Sequence, residues 1–255
     1  MFRKLTKFFL GIVKNLVLSS SFYTFVTKFY TMFKNKFFTI FFVSLLAVIF
    51  FSIYSLINRK NLPIIMPRDV NPELVDSLVQ HIGYNHKIAP FSFTNQNGKT
   101  ISNKDYEGKV YVADFFFTTC QTICPKMTDN MAWLQDKIKN NPKVKLLSHS
   151  VFPNEDTVEV LKKYAKEKGV IDSKWNLVTG NQKEIYKLAR QSYLVVKTGK
   201  PEEMYDMVHT ENFVLVDQKG RIRGFYNGLN IDKNVKGEQN LTQLLEDIEF
   251  LSEKE

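Results

Sequence analysis

Apolar and polar residues along this chain fall into three successive patterns. Phe37 to Ile57 (FFTIFFVSLLAVIFFSIYSLI) is an unbroken apolar run of 21 residues without a charge, about the ~20 that a helix needs to cross a bilayer core. It is too long for the ~7–15-residue apolar region of a cleaved leader, and no small-residue cleavage site ends it. The run predicts a transmembrane helix over 37–57. From 58 to 90 the periodicity disappears, and Pro63, Pro67, Pro72 and Pro90 favour extended chain just before each of them. That segment reads as a stalk, with PELVDSLVQHIG as one short helix within it.

From Phe91 the pattern becomes regular. FSFTNQNGKTIS predicts two short strands about the Asn97-Gly98 turn. VYVADFFF (110–117) is a nearly continuous apolar strand of the kind covered on both faces. PKMTDNMAWLQDKIKN then sets Met127, Met131, Leu134 and Ile138 at helical spacing. VKLLSHSV (144–151) is a second strand, NEDTVEVLKKYAKEKG a helix stopping at Gly169, WNLVTG a short strand and NQKEIYKLARQS a helix. FVLVDQKGRIRGFY folds back as a hairpin over Gln218 to Gly220, and GEQNLTQLLEDIEFLSEKE closes as an amphipathic helix. Strands alternating with helices, followed by a hairpin, imply an α/β domain of three layers with a central mixed sheet between helices. The expected organisation is 1–36 basic segment, 37–57 span, 58–90 stalk and 91–255 folded domain.

Charge changes this picture in one respect. The chain has pI 9.3 and net charge +9, but residues 1–60 hold nine of its 35 basic residues and none of its 26 acidic ones, leaving 61–255 with 26 of each sign. The basic excess therefore belongs to the amino-terminal segment, and the folded part shows no signature of nucleic-acid binding. Seven of those basic residues, with no acidic one, precede the span, so the segment before it stays cytoplasmic. A single pass then places 58–255 outside the cytoplasm, on the periplasmic side of an inner cell membrane. KFFLGIVKNLVLSSSFYTF (7–25), apolar with spaced lysines, reads as a helix lying in the inner membrane surface; the alternative is a second span interrupted by Lys14, which would reverse the topology.

That compartment gives meaning to the two cysteines, Cys120 and Cys124, in VADFFFTTCQTICPKM. Disulfides persist outside the cytoplasm, yet a staple this short closes a tiny loop and stabilises little. Pro125 suits the first position of a helix. Cys124 then stands near the N-cap, where the helix dipole favours a thiolate, and Cys120 in the preceding loop. Both sulfurs sit at the carboxyl end of a central strand, a usual place for sites in open α/β sheets. Such a pair can work in redox chemistry, in metal binding or in both. The three-residue spacing, against two in thioredoxin-type reductases, leans toward metal, because thiolates select copper(I) or zinc and require a further donor. Of His81, His86, His149 and His209, the last stands out: MVHTEN leads into the strand FVLVD, in a loop expected beside the cysteines. His81 and His86 lie in the stalk and His149 mid-strand, while Met127 and Met131 belong to a packing stripe. Asp114, inside an apolar strand, reads as a hydrogen-bonded structural residue able to tune the thiols.

DFFFTTCQTICPKM (114–127), SHSVFPNEDTVEVLKKYA (148–165), WNLVTG (175–180) and HTENFVLVDQKGRIRGFYNG (209–228) together resemble the Sco (SenC) family of cytochrome c oxidase assembly proteins. These are membrane-anchored, thioredoxin-like copper proteins. The resemblance implies a copper ion, Cu(I) or Cu(II), held by Cys120, Cys124 and His209. It also implies the copper-bearing subunit of cytochrome c oxidase as partner, with an upstream copper carrier and a thiol reductant. The family pattern departs at Gln121, where many relatives carry proline, and at Phe152 and Val208, where they carry aspartate. The function expected is a copper chaperone, more a metal carrier than an enzyme. The alternatives are an extracytoplasmic thiol-disulfide reductase working through Cys120 and Cys124, or a redox or copper sensor.

Overall fold

The computed structural model describes residues 36–57, 61–72, 75–195, 211–231 and 239–253. The segment 7–25, the basic residues ahead of Lys36 and His209 lie outside the described residues. The chain divides into two compact units, 1–61 and 62–255.

In the first unit, helix α1 (Lys36–Ile57) matches the uncharged run. Among the described residues it is one helix long and apolar enough to cross a membrane, with mean hydropathy 2.5 over Lys36–Tyr54.

The second unit is built on one seven-stranded sheet in the order β2-β1-β5-β4-β3-β6-β7. The strands are β1 (Ser92–Asn95), β2 (Thr100–Ser102), β3 (Val110–Phe116), β4 (Val144–Ser150), β5 (Trp175–Thr179), β6 (Asn212–Val216) and β7 (Ile222–Asn227). β3, β4 and β5 run parallel, whereas β1 joins β5, and β6 joins β3, antiparallel. The helices are α2 (Cys124–Ile138), α3 (Val158–Glu167), α4 (Gln182–Lys187) and α5 (Leu241–Glu253).

β3 is buried along its whole length because its alternate side chains enter two cores. Val110, Val112 and Phe116 pack with α2, α3 and α5. Tyr111, Ala113 and Phe115 pack with α4, Leu188 and Tyr193 on the other face. The result is the three-layer, thioredoxin-like arrangement that the sequence predicts. Local chemistry sets the boundaries. The Asn95 carboxamide accepts from the N–H groups of Asn97 and Lys99, both at 3.0 Å, and Gly98 takes φ +70° to close the β1–β2 turn. Thr157 caps α3 and Asn181 caps α4.

Three expectations change. The expected stalk, 58–90, belongs from Leu62 onward to the compact unit, so the folded domain starts well before Phe91. Its extended prolyl chain runs along the sheet edge. Ile65 N–H donates to Ile222 O (2.9 Å), Ile88 N–H to Gly220 O (2.8 Å), and Arg223 Nε to Pro63 O (2.9 Å). The expected helix in PELVDSLVQHIG is a series of turns over 77–81. There Asp76 accepts from Leu78 N–H and Gln80 donates to Pro72 O and Val75 O, engaging backbone groups that a helix would pair. Finally, α4 ends at Lys187 and the chain widens into one π-turn over Leu188–Ser192.

Candidate functional site

β3 lies inside the sheet between β4 and β6 and ends at Phe116. The chain crosses from there to α2 through residues 117–123, so Cys120 sits in a loop and Cys124 is the first residue of the helix, with Pro125 second. This is one position earlier than Pro125 alone suggests. Both cysteines are free thiols; Cys120 is 8% exposed and Cys124 1%.

The two thiols differ sharply. Burial pushes Cys120 up, but its sulfur accepts hydrogen bonds from the Cys124 thiol, the Thr122 hydroxyl (3.5 Å) and the N–H groups of Cys124 and Thr122. Together these hold it down at about 7. Cys124 moves the other way, to about 12, because it is buried and spends its proton on Cys120; the Phe117 backbone opposes this only in part. The loop cysteine rather than the helical one is thus the acidic thiol, chiefly because the Cys124 thiol and the Thr122 hydroxyl donate to it, with the N–H groups of Cys124 and Thr122 adding to them.

Beneath the pair lies a buried polar cluster. Asp114 accepts from the Ser148 hydroxyl, whose oxygen accepts from Trp175 Nε1–H at 2.8 Å. Burial raises Asp114 to about 7, against the stabilising Ser148 hydrogen bond. Asp114 is therefore the hydrogen-bonded residue expected, and its field helps to raise Cys124. At the rim the ring of Phe152 tilts against that of Phe117, centroids 4.7 Å apart. The departure at Phe152 thus places an apolar contact beside the cysteine loop.

The other candidate donors are sorted by position. His86 is buried with Nε2 at 2.8 Å from Ser192 O. His149 is fully buried on the sheet face opposite the cysteines, among Phe91, Phe93, Phe115 and Tyr193. His81 is exposed in a turn. Met127 and Met131 pack in the core, as their helical spacing indicates. Among the described residues no group of three metal-ligating side chains forms.

One residue escaped the sequence reading. The Asp156 carboxylate is fully buried and accepts from Thr118 N–H at 3.3 Å, from the Thr118 hydroxyl and from the Ser150 hydroxyl. In sequence it stands just before the N-cap Thr157, where an acidic residue signals no more than a helix start.

The SCO1/SenC family model matches residues 79–244, a stretch that holds the cysteine loop and all seven strands. This chain belongs to the SCO1/SenC family. The SCO1 protein homolog of Bacillus subtilis (strain 168) is 40% identical over 147 residues, covering 57% of this chain and 76% of that protein. The chain spans about half the length of the mitochondrial SCO1 homologs it matches. Among solved structures, BsSco, described as a member of the Sco family of cytochrome c oxidase assembly proteins with a disulfide switch, superposes with TM-score 0.56. It is 35% identical, over 67% of this chain and 96% of that one. ScoI of Bradyrhizobium japonicum with copper bound superposes with TM-score 0.50 at 26% identity, over 66% of this chain and 99% of that one.

Proposed function

We propose that this Sco-family chain is a membrane-anchored copper chaperone that loads the dinuclear copper site of cytochrome c oxidase. Helix α1 is its anchor, and the domain that follows stands outside the cytoplasm. The ion is cargo, held by Cys120, Cys124 and His209. The observation that carries the reading is the free thiol pair at the end of β3. Two soft donors sit side by side, one acidic enough at about 7 to be half thiolate near neutrality, and soft donors of this kind select copper(I). The antiparallel pairing of β6 with β3 supports His209 as third donor. It sets the start of β6, three residues after His209, at the end of β3 that leads into the cysteine loop. Copper bound in the related ScoI agrees with that cargo. Two thiolates and an imidazole leave the ion open to a partner's thiolates, so transfer proceeds by stepwise ligand exchange. An upstream carrier and a thiol reductant are required to load the pair.

The asymmetry of the thiols favours a second reading, a thiol-disulfide reductase that keeps the oxidase's cysteines reduced. The Cys120 thiolate attacks a partner disulfide and releases one partner thiolate. Cys124, losing its proton, then displaces the second and leaves a Cys120–Cys124 disulfide. Copper analysis of purified Cys120→Ser, Cys124→Ser and His209→Ala chains separates the readings. Loss of stoichiometric copper in either serine variant, and weakened copper in His209→Ala with dithiol cycling intact, is the chaperone result. Parent-like copper binding and normal oxidase assembly in His209→Ala would remove His209 from the site and favour the reductase.

A further inference from the structure

The geometry points to Asp156 as the positioning residue of the cysteine loop: its buried carboxylate fixes where Cys120 stands relative to Cys124. Cys124 is held by helix α2, but Cys120 belongs to no regular element, and its own N–H reaches Phe117 O only at 3.4 Å. The firmest hold on the first half of the loop lies two residues earlier, at Thr118. Its N–H lies 3.3 Å from both oxygens of Asp156, and its hydroxyl donates to one of them. The other oxygen accepts from the Ser150 hydroxyl at the end of β4, and that hydroxyl in turn accepts from Phe152 N–H at 3.2 Å.

Asp156 is itself fixed, because its N–H donates to Phe152 O at 2.8 Å in the turn entering α3. A charged acceptor makes shorter and stronger hydrogen bonds than a neutral one. With no solvent to compete, the carboxylate locks the loop to β4 and α3 together. Glu155, next door, adds a longer contact from the Thr119 hydroxyl at 3.4 Å. The turn 152–156 is thus a clasp on the first half of the cysteine loop, separate from the hold that α2 has on Cys124. Freeing the clasp leaves both sulfurs present but widens the range of separations they sample. That lowers the effective concentration of one thiol at the other, and with it the stability of any two-sulfur product, whether disulfide or metal complex.

The inference rests on the cysteine pair being the working site, and holds whether its cargo is copper or a disulfide. The test uses the full chain in detergent, with three substitutions. Asp156→Asn keeps the volume but replaces an acceptor oxygen by a donor. Thr118→Val removes the hydroxyl and keeps the N–H. Leu251→Ala lowers stability in the core under α5, beside Ser252, which meets Asn141 and Lys143 where β4 begins, at the other end of the strand from the cysteine loop. For each, the midpoint potential is read in a glutathione buffer, in which the dithiol and one glutathione disulfide give the protein disulfide and two glutathiones. Copper(I) affinity and unfolding by urea are measured alongside.

Asp156→Asn should lower the equilibrium constant for disulfide formation at least tenfold, about 30 mV toward more oxidising potential. It should also weaken copper(I) at least tenfold, with Thr118→Val shifted in the same sense and Leu251→Ala unmoved. A loss of stability matching that of Leu251→Ala, with potential and copper affinity at parent values, overturns the proposal. A shifted potential in a chain whose parent binds no copper keeps the positioning role and sinks the copper reading. Should Asp156→Asn not fold, Thr118→Val decides, and an unshifted potential there overturns the proposal.

Discussion

His149 is the buried group whose replacement gives the most directly measurable change. Its imidazole is fully buried on β4, with the Phe115 ring stacked on it at 4.9 Å and Phe91, Phe93 and Tyr193 at 5.5–5.7 Å. Neither ring nitrogen has a protein hydrogen-bond partner, and a buried polar group left so costs about 1–3 kcal/mol. Burial alone pushes the group down from 6.5 to about 3. The folded-state value lies below the unfolded one, so the unfolded chain binds the proton first. The stability tied to a neutral His149 is complete above about pH 6.5 and is lost as pH falls toward 3. At about 1.4 kcal/mol per pH unit, the loss is roughly 2 kcal/mol by pH 5 and a little over ~4 kcal/mol by pH 3, where the folded chain has begun to bind the proton as well.

Asp114 acts in the opposite sense. Its folded-state value is raised by burial from 3.8 to about 7, so it contributes stability that is complete below about 3.8 and lost as pH rises through 7. Between about pH 4 and 6.5 the two nearly cancel, which conceals each in the parent. His149→Phe keeps the ring and removes both nitrogens. Urea unfolding followed by near-ultraviolet circular dichroism at pH 7, 6, 5 and 4.5 should show the variant more stable by about 1–3 kcal/mol at pH 7. The gap should widen by about 1.4 kcal/mol per unit below pH 6.5. Every other titrating group is common to both chains and drops out of the difference. A gap that stays constant with pH, or a variant less stable at pH 7, would refute the buried neutral imidazole.

Two more outcomes can be checked directly. Alkylation of the reduced chain by iodoacetamide should modify Cys120 first, with a rate that reaches half its plateau near pH 7; Thr122→Val should move that midpoint upward by removing a donor to the sulfur. A midpoint at 9 or above in the parent would contradict the hydrogen bonds assigned to Cys120. An enzyme reporter active only outside the cytoplasm, fused after Glu255, should be active, given seven basic and no acidic residues ahead of the span; activity of a cytoplasmic reporter alone would reverse the topology and remove the oxidase reading with it.

Much of the domain could be read from neighbours along the chain. The apolar run of β3, the 3–4 spacing of Met127, Met131 and Leu134 on α2, the Asn95–Gly98 turn and the caps at Thr157 and Asn181 all arise from side chains within a few residues of the backbone they shape. The placement of Cys120 and Cys124 between strand and helix follows from the same local signals, and so does α1, from the uncharged run 37–57. What the sequence left open are contacts between distant segments. Whether 62–90 stands off or packs depends on the edge offered by Ile222 and Arg223, more than 150 residues later. Which thiol is acidic depends on burial and on which of the two accepts from the other thiol, from the Thr122 hydroxyl and from nearby N–H groups. The face on which His149 falls follows from strand parity, but the rings that surround it come from β1, β3 and the chain after α4. Asp156 meets Thr118 across 38 residues because β3 and β4 lie side by side in parallel, so the turns at their ends meet. Periodicity and turn chemistry act over a single turn or hairpin, whereas burial, hydrogen-bond partners and acidity belong to whichever segments the sheet brings together.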